Sequence, residues 1–221
     1  MVYPVPMREG LEASASTKDA YHHGDLAEAL MRLAITHIEE EGTEKLSLRA
    51  LAREAGVSQS APYRHFPTKR CLLAGLATQG FQILHDSIEQ VVETDTSIEE
   101  RFIAMGVAYV HFALTHPTHY HLMFGSVLGD FSDYEMLHTA ASRSFAQVTR
   151  VQHELVIAKN LDVDEKRFAG VIWAGVHGIA SLLTNMHGRS GKGQSEAMES
   201  IRTVSEDLED SVRMMFDHLV R

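Results

Sequence analysis

LSLRALAREAGVSQSAPYRHFPTKRCLL, residues 46–73, holds two short helical periods on either side of a glycine turn. Leu48, Leu51, Ala52 and Ala55 recur at i, i+3, i+4 and i+7 behind Ser47, a residue type suited to a helix N-cap. Gly56 stops that helix in the left-handed conformation glycine tolerates, and Ser58 is placed to cap a third short helix. Pro62 is compatible with such a helix only near its first turn, where few N–H groups have intrahelical partners. Thr68 then caps a long helix whose apolar positions are Leu72, Leu73, Leu76, Phe81, Leu84, Ile88 and Val91. The reading is helix, three-residue turn, helix, with Val57 and Phe66 pinned inward and the outer face of the second short helix left free.

Outward from this unit, every periodic segment is helical. Leu26, Leu30, Leu33, Ala34, His37 and Ile38 give a first helix from about Asp25 to Glu41, ended by Gly42. Further helices are predicted from about Ile98 to His116, Tyr134 to Ala158, Glu165 to His187 and Ser195 to Leu219, and no segment alternates as a strand does. The fold class is therefore all-α. Residues 1–20 form a mobile tail, 21–68 a small three-helix domain and 69–221 a larger helical body, with the glycine-rich loop 188–195 joining its last two helices.

Charge separates the two parts. The chain carries a net charge of −10, yet residues 18–70 sum to zero and residues 71–221 hold −9 of it. Between 47 and 70, Arg49, Arg53, Arg64, Lys69 and Arg70 face Glu54 alone. A small basic platform thus stands on an acidic body, which argues against a non-specific DNA-packaging protein, whose affinity would come from counterion release. A single cysteine, Cys71, excludes an internal disulfide and fits a reducing compartment. The opening MVYPVPMREGLEASAS has no basic start followed by an apolar stretch, and no run of eighteen uncharged apolar residues occurs, so a cytoplasmic protein with no membrane partner is expected. Without a phosphate loop, a G-x-S-x-G or an H-E-x-x-H, catalysis has no nucleophile or base to rest on, and no enzyme is expected.

Gln59, Ser60, Tyr63 and Arg64 share the free outer face at helical spacing. Arginine donates a bidentate pair to guanine and glutamine pairs with adenine, while serine and tyrosine hydroxyls reach phosphates or base edges. Arg49 extends this set toward the groove edge, and Lys69, opening the next helix, makes a phosphate clamp with the N–H groups around it. LRALAREAGVSQSAPYRHFPTKRCLL resembles the pattern LxxLAxxAGVSxxxxYxHFxxKxxLL of the TetR family of repressors, from the first helix to the start of the fourth. The resemblance implies that Gln59, Ser60, Ala61, Arg64 and Arg49 face bases, and that Ser47, Ser58, Tyr63, His65 and Lys69 hold the DNA backbone. Pro62 departs from the family, most of whose members carry an apolar residue there.

In the body, WAGVHG (173–178) and HPTHYHLMFG (116–125) resemble the C-terminal domain of a TetR subgroup with a Trp-His-Gly motif. That resemblance implies Trp173, His177 and Gly178 on a helix near the domain centre, with Gly175 and Gly178 allowing close helix approach. Met105, Tyr109, Phe112, Tyr120, Met123, Phe124, Trp173 and His177 combine apolar bulk with a few polar tips, the composition of a small-molecule pocket as well as of a core. Apolar stripes, Phe168, Ile172, Val176, Ile179, Leu183 and Met186, then Ile201, Leu208, Val212, Met215 and Leu219, suit a homodimer through the last two helices. A two-fold dimer would read half-sites about 34 Å apart. The expectation is a repressor that binds a palindromic double-stranded DNA operator and is released by a small apolar or amphipathic effector, with no cofactor and no metal. The alternative is a metal- or thiol-responsive regulator using His111, His116, His119 and His121, or Cys71.

Overall fold

The computed structural model describes residues 23–186 and 196–217, which form nine α-helices and three single 3₁₀ turns, with no strand among the described residues. The helices are α1 (His23–Glu41), α2 (Leu48–Glu54), α3 (Lys69–Val92), α4 (Ile98–Thr115), α5 (Pro117–Phe124), α6 (Glu135–Lys159), α7 (Glu165–Met186), α8 (Glu196–Glu206) and α9 (Leu208–Asp217). The expected tail at 1–20, the loop at 188–195, His187 and Leu219 lie outside the described residues.

Local chemistry sets most of these boundaries. Gly42 and Gly56 sit at φ 83° and 69°, ending α1 and α2 where a side chain would be strained. Thr68 caps α3 by accepting from the Cys71 N–H at 3.1 Å, and Ser97 caps α4 by accepting from the Glu100 N–H at 3.2 Å. Ser47 occupies the N-cap of α2 with extended backbone, but its side chain makes no capping bond.

Three elements depart from the sequence reading. The third short helix is tightened to a 3₁₀ turn at Pro62–Arg64. Proline has no N–H for the carbonyl of Ser58, which accepts from Ala61 instead at 3.0 Å. Helix α5 was not expected as a separate element. His116, preceding Pro117, is driven out of helical geometry to φ −128° and ψ 55°, so α4 stops and the proline opens a new helix. The single C-terminal helix is broken at Asp207, whose carboxylate accepts from the Asp210 N–H at 3.0 Å and starts α9 afresh.

Helix α3 is the axis of the molecule. Its N-terminal half closes the small domain against α1, and the rest is packed by α4, α5 and α6, while α4 in turn meets α7 and α9. Leu72, Leu76 and Ile88 are fully buried along it. Close approach needs small residues at two crossings. A Cβ on Gly80 would lie 2.5 Å from Met123 Sδ on α5, and one on Gly106 would lie 3.0 Å from Val212 Cγ1 on α9. Helix α7 is apolar and long enough to cross a bilayer, but Phe168, Ile172, Val176, Ala180 and Leu183 bury its inner face in this core.

Candidate nucleic-acid interface and effector cavity

The outer surface of the small domain is built by α2, the Gly56 turn and the Pro62–Arg64 turn. Pro62 is buried and anchors that turn, and Ala61, Val57 and Phe66 pack against the core behind it. Arg49, Ser58, Gln59, Ser60, Tyr63 and Arg64 are exposed, as is Ser47 at the edge of α2. The hydroxyls of Ser58 and Ser60 lie 3.2 Å apart, so the turn orders its own polar edge. Neither Arg49 nor Arg64 has an ion-pair partner among the described residues, which leaves two guanidinium groups available to an anion.

Other members of the expected DNA-contacting set are placed differently. Ala61 and His65 are half-buried, and His65 lines the seam between the small domain and the body, with Phe66, Cys71 and Tyr134. Lys69 reaches back, its Nζ donating to the Glu44 carbonyl at 2.9 Å and tying α3 to the turn after α1. Arg70 donates to the Leu128 carbonyl at 2.9 Å, fastening the same helix end to the body.

In the body, α3, α4, α5, α6, α7 and α9 surround a cavity of about 220 Å³. Met105, Tyr109, Phe124 and Trp173, four of the residues expected to form a pocket, line it. Tyr120 and His177 stand behind Tyr109. Both tyrosine Oη atoms lie 2.9 Å from His177 Nδ1, and Tyr120 Oη is also 3.3 Å from the His177 carbonyl oxygen. Burial holds the His177 imidazole below its usual pKa, pushes Tyr120 up to about 12 and raises Tyr109 further. A neutral Nδ1 has one lone pair, so the bonds are all satisfied when Tyr109 donates to it and Tyr120 donates to the carbonyl. Phe124, Trp173 and His177 stack around this pair, with ring centroids 4.9 to 6.2 Å apart.

Phe112 and Met123 are not brought to the cavity wall. Phe112 lies nearly a turn beyond Tyr109 and packs on the His116 ring at 5.5 Å. Met123 precedes Phe124, and adjacent helical positions point about 100° apart, so it turns instead onto Gly80. The sequence reading missed Phe145 and Ser144 from α6 and Phe216 from α9 as cavity residues. Leu84 and Ile88 were legible as an apolar stripe of the long helix, but nothing in their spacing says that a void lies against them.

Helix α5 also touches the small domain. Thr118 donates to Glu39 Oε1 on α1 at 3.2 Å, and His119 Nε2 meets Gln79 Oε1 on α3 at the same distance. Burial, with His116 nearby, lowers the His119 pKa to about 4, so it stays neutral. On the far side of the body, the stripe assigned to the dimer is turned inward, because Phe168, Ile172, Val176, Leu183 and Val212 are buried within the protomer. The exposed apolar face is a different one, with Val171 at 50%, Leu182 at 47% and Met214 at 63% exposure. Gly175 approaches Met215 on α9, as close packing requires, whereas Gly178 opens onto free space beside Val171 and Leu182.

Residues 30–76 match the family profile described as bacterial regulatory proteins, tetR family, and residues 102–219 match that of the tetracyclin repressor-like C-terminal domain. The nucleoid occlusion factor SlmA of Vibrio vulnificus is 27% identical over 153 residues, covering 66% of this chain and 77% of that protein. An HTH-type transcriptional regulator of Mycobacterium tuberculosis is 27% identical over 124 residues, covering 55% of this chain and 50% of that protein. Among solved structures, a protein with unknown function from Rhodococcus sp. RHA1 is 34% identical, with a TM-score of 0.69 over 87% of this chain and 97% of that one. The TetR family transcriptional regulator PfmR of Thermus thermophilus shares the fold at 16% identity, with a TM-score of 0.60 over 83% of this chain and 96% of that one.

Proposed function

Because the chain belongs to the TetR family, whose members are DNA-binding transcriptional regulators, we propose that it is a repressor that binds a palindromic operator as a homodimer and is released by a small apolar effector. One observation carries the reading. Helix α3 presents Phe81, Leu84 and Ile88 to the cavity, and its N-terminal end is tied to the small domain through Lys69 on the Glu44 carbonyl and to the body through Arg70 on the Leu128 carbonyl. An effector that reshapes the cavity therefore acts on the element that sets the spacing of two readers. In this reading residues 21–68 form the DNA-binding domain and 69–221 the sensing and dimerising body. Arg49, Gln59, Ser60, Ala61 and Arg64 read bases. Ser47, Ser58, Tyr63, His65 and Lys69 hold the backbone, and the protein works in the cytoplasm where its operator lies.

The apolar lining supports this effector class over a metal or a thiol signal. His119 and His177 are each committed to side-chain hydrogen bonds, and Cys71 sits half-buried beside Thr68 in the seam. Operator duplexes selected from genomic fragments, followed by a compound screen for release, test the proposal. An effector is expected to weaken operator binding by about 5- to 150-fold. A compound that fills the cavity yet leaves operator affinity unchanged would refute the coupling.

A further inference from the structure

We propose that the cavity selects an uncharged, compact apolar molecule bearing one hydrogen-bonding group, and that the Ser144 hydroxyl receives that group. The inference rests on the reading of the cavity as the effector site and specifies what that site admits. Among the described residues, no Asp, Glu, Lys or Arg lines the cavity. Taking an ion out of water with no opposite charge to meet it is strongly unfavourable, so a carboxylate or an ammonium is rejected. The wall is otherwise aromatic and aliphatic, and its polar atoms are few enough to examine one by one.

Tyr109 Oη is occupied by His177 Nδ1 at 2.9 Å. Trp173 stands at the mouth, 43% exposed, beside Phe145 at 52%. Ser144 differs from both. It is 4% exposed, lines the cavity from α6, and its hydroxyl has no hydrogen-bond partner among the described residues. A buried hydroxyl on a helix ordinarily bonds the carbonyl four residues back. Thr78 does so to Ala74 at 2.8 Å and Thr184 to Ala180 at 2.9 Å. Ser144 does not take the Ala140 carbonyl, and a donor and an acceptor are left without a partner on an apolar wall. Gln147, nearly one turn further along α6, also keeps an unpartnered Oε1, but it does not line the cavity. Size narrows the class further. About 220 Å³ exceeds the roughly 150 Å³ of an apolar cavity that admits benzene, which suits a compact molecule of about ten non-hydrogen atoms.

Trp173 is the sole tryptophan of the chain and lies in the cavity wall, so its emission reports occupancy. The experiment titrates the full-length protein with cyclooctane, cyclooctanol and cyclooctanecarboxylate at neutral pH, and repeats the titrations on Ser144→Ala and Ala141→Phe. Ala141→Leu replaces the latter if the phenylalanine variant fails to fold. Cyclooctanol is expected to bind at least tenfold more tightly than the carboxylate. Ser144→Ala is expected to weaken the alcohol about three- to tenfold while leaving cyclooctane unchanged, as loss of one hydrogen bond requires. Filling the site at Ala141 is expected to abolish binding of both neutral probes. If cyclooctane still binds the filled variant with unchanged affinity, the cavity is not the binding site and the effector reading itself falls. If the filled variant loses cyclooctane but Ser144→Ala leaves the alcohol untouched, or the carboxylate binds as tightly as the alcohol, the cavity reading stands and this inference is overturned. Failure of all three probes to bind the wild-type protein also overturns it.

Discussion

Arg64 and Lys69 carry the same charge five residues apart, and the structure gives them different work. Arg64 is exposed on the Pro62–Arg64 turn with no ion-pair partner among the described residues, whereas Lys69 is half-buried and held on the Glu44 carbonyl. Replacing Arg64 with alanine is expected to cost about 1–3 kcal/mol of operator binding and to relax preference at one base position. Lys69→Ala should instead weaken all DNA sequences alike and flatten the salt dependence. Loss of its bond to Glu44 should also lower protomer stability by no more than about 1 kcal/mol. Operator and random duplexes compared across a salt series separate the two. Equal losses on both duplexes for both variants would remove Arg64 from base reading.

At the scale of elements, α5 matters most and was hardest to see. It is eight residues long, and its place between cavity and small domain rests on Phe124 facing one way and Thr118 another. Its seat on α3 is the Gly80 crossing, where a side chain would drive into Met123 Sδ and come within 3.0 Å of His119 Cβ. Gly80→Val is therefore expected to destabilise the protein by about 1–3 kcal/mol through overpacking. Because α5 carries Phe124, the same variant should also weaken effector binding. Gly170→Ala is the internal control, since nothing lies within 4 Å of the added Cβ. A helix-interior alanine there should leave the protomer as stable or raise it by up to about 1 kcal/mol. Urea unfolding of the two variants checks the contrast, and equal midpoints would mean that α5 is not held by the Gly80 crossing.

For the whole molecule, the decisive surface is the part of α7 that the protomer leaves uncovered. Val171, Ala174 and Leu182 are exposed and lie at helical spacing on one side of α7 with half-buried Gly178 between them, and Met214 on α9 adds to the uncovered apolar surface. Small residues among larger apolar ones let two helices approach closely, as a two-fold interface of this helix would need. Leu182→Asp combined with Val171→Asp is expected to give a folded monomer by sedimentation, with unchanged helical content. It should also lose at least tenfold in operator affinity, because one reader alone discriminates weakly. A stable dimer that binds DNA normally would place the interface elsewhere.

Residue order alone determined that the described residues are helical, that a glycine turn falls at Gly56, and that Gln59, Ser60, Tyr63 and Arg64 share an exposed edge, whereas Ala61, His65 and Lys69 of the expected set are half-buried. Those features follow from spacing, caps and glycine, all local in sequence. Pro62 was recognised as awkward, yet only the backbone shows it tightening the third helix to a 3₁₀ turn. The cavity was half legible. Met105, Tyr109, Phe124 and Trp173 were found by composition, whereas Phe112 and Met123, equally apolar, turned out to be core. Much of the stripe assigned to the dimer is buried within the protomer, an ambiguity left open by the apolar residues on both sides of α7. Hydrophobic period says that a face is buried without saying against what. Whether the partner is the same chain, a second copy or a ligand is decided by how helices far apart in sequence close on one another.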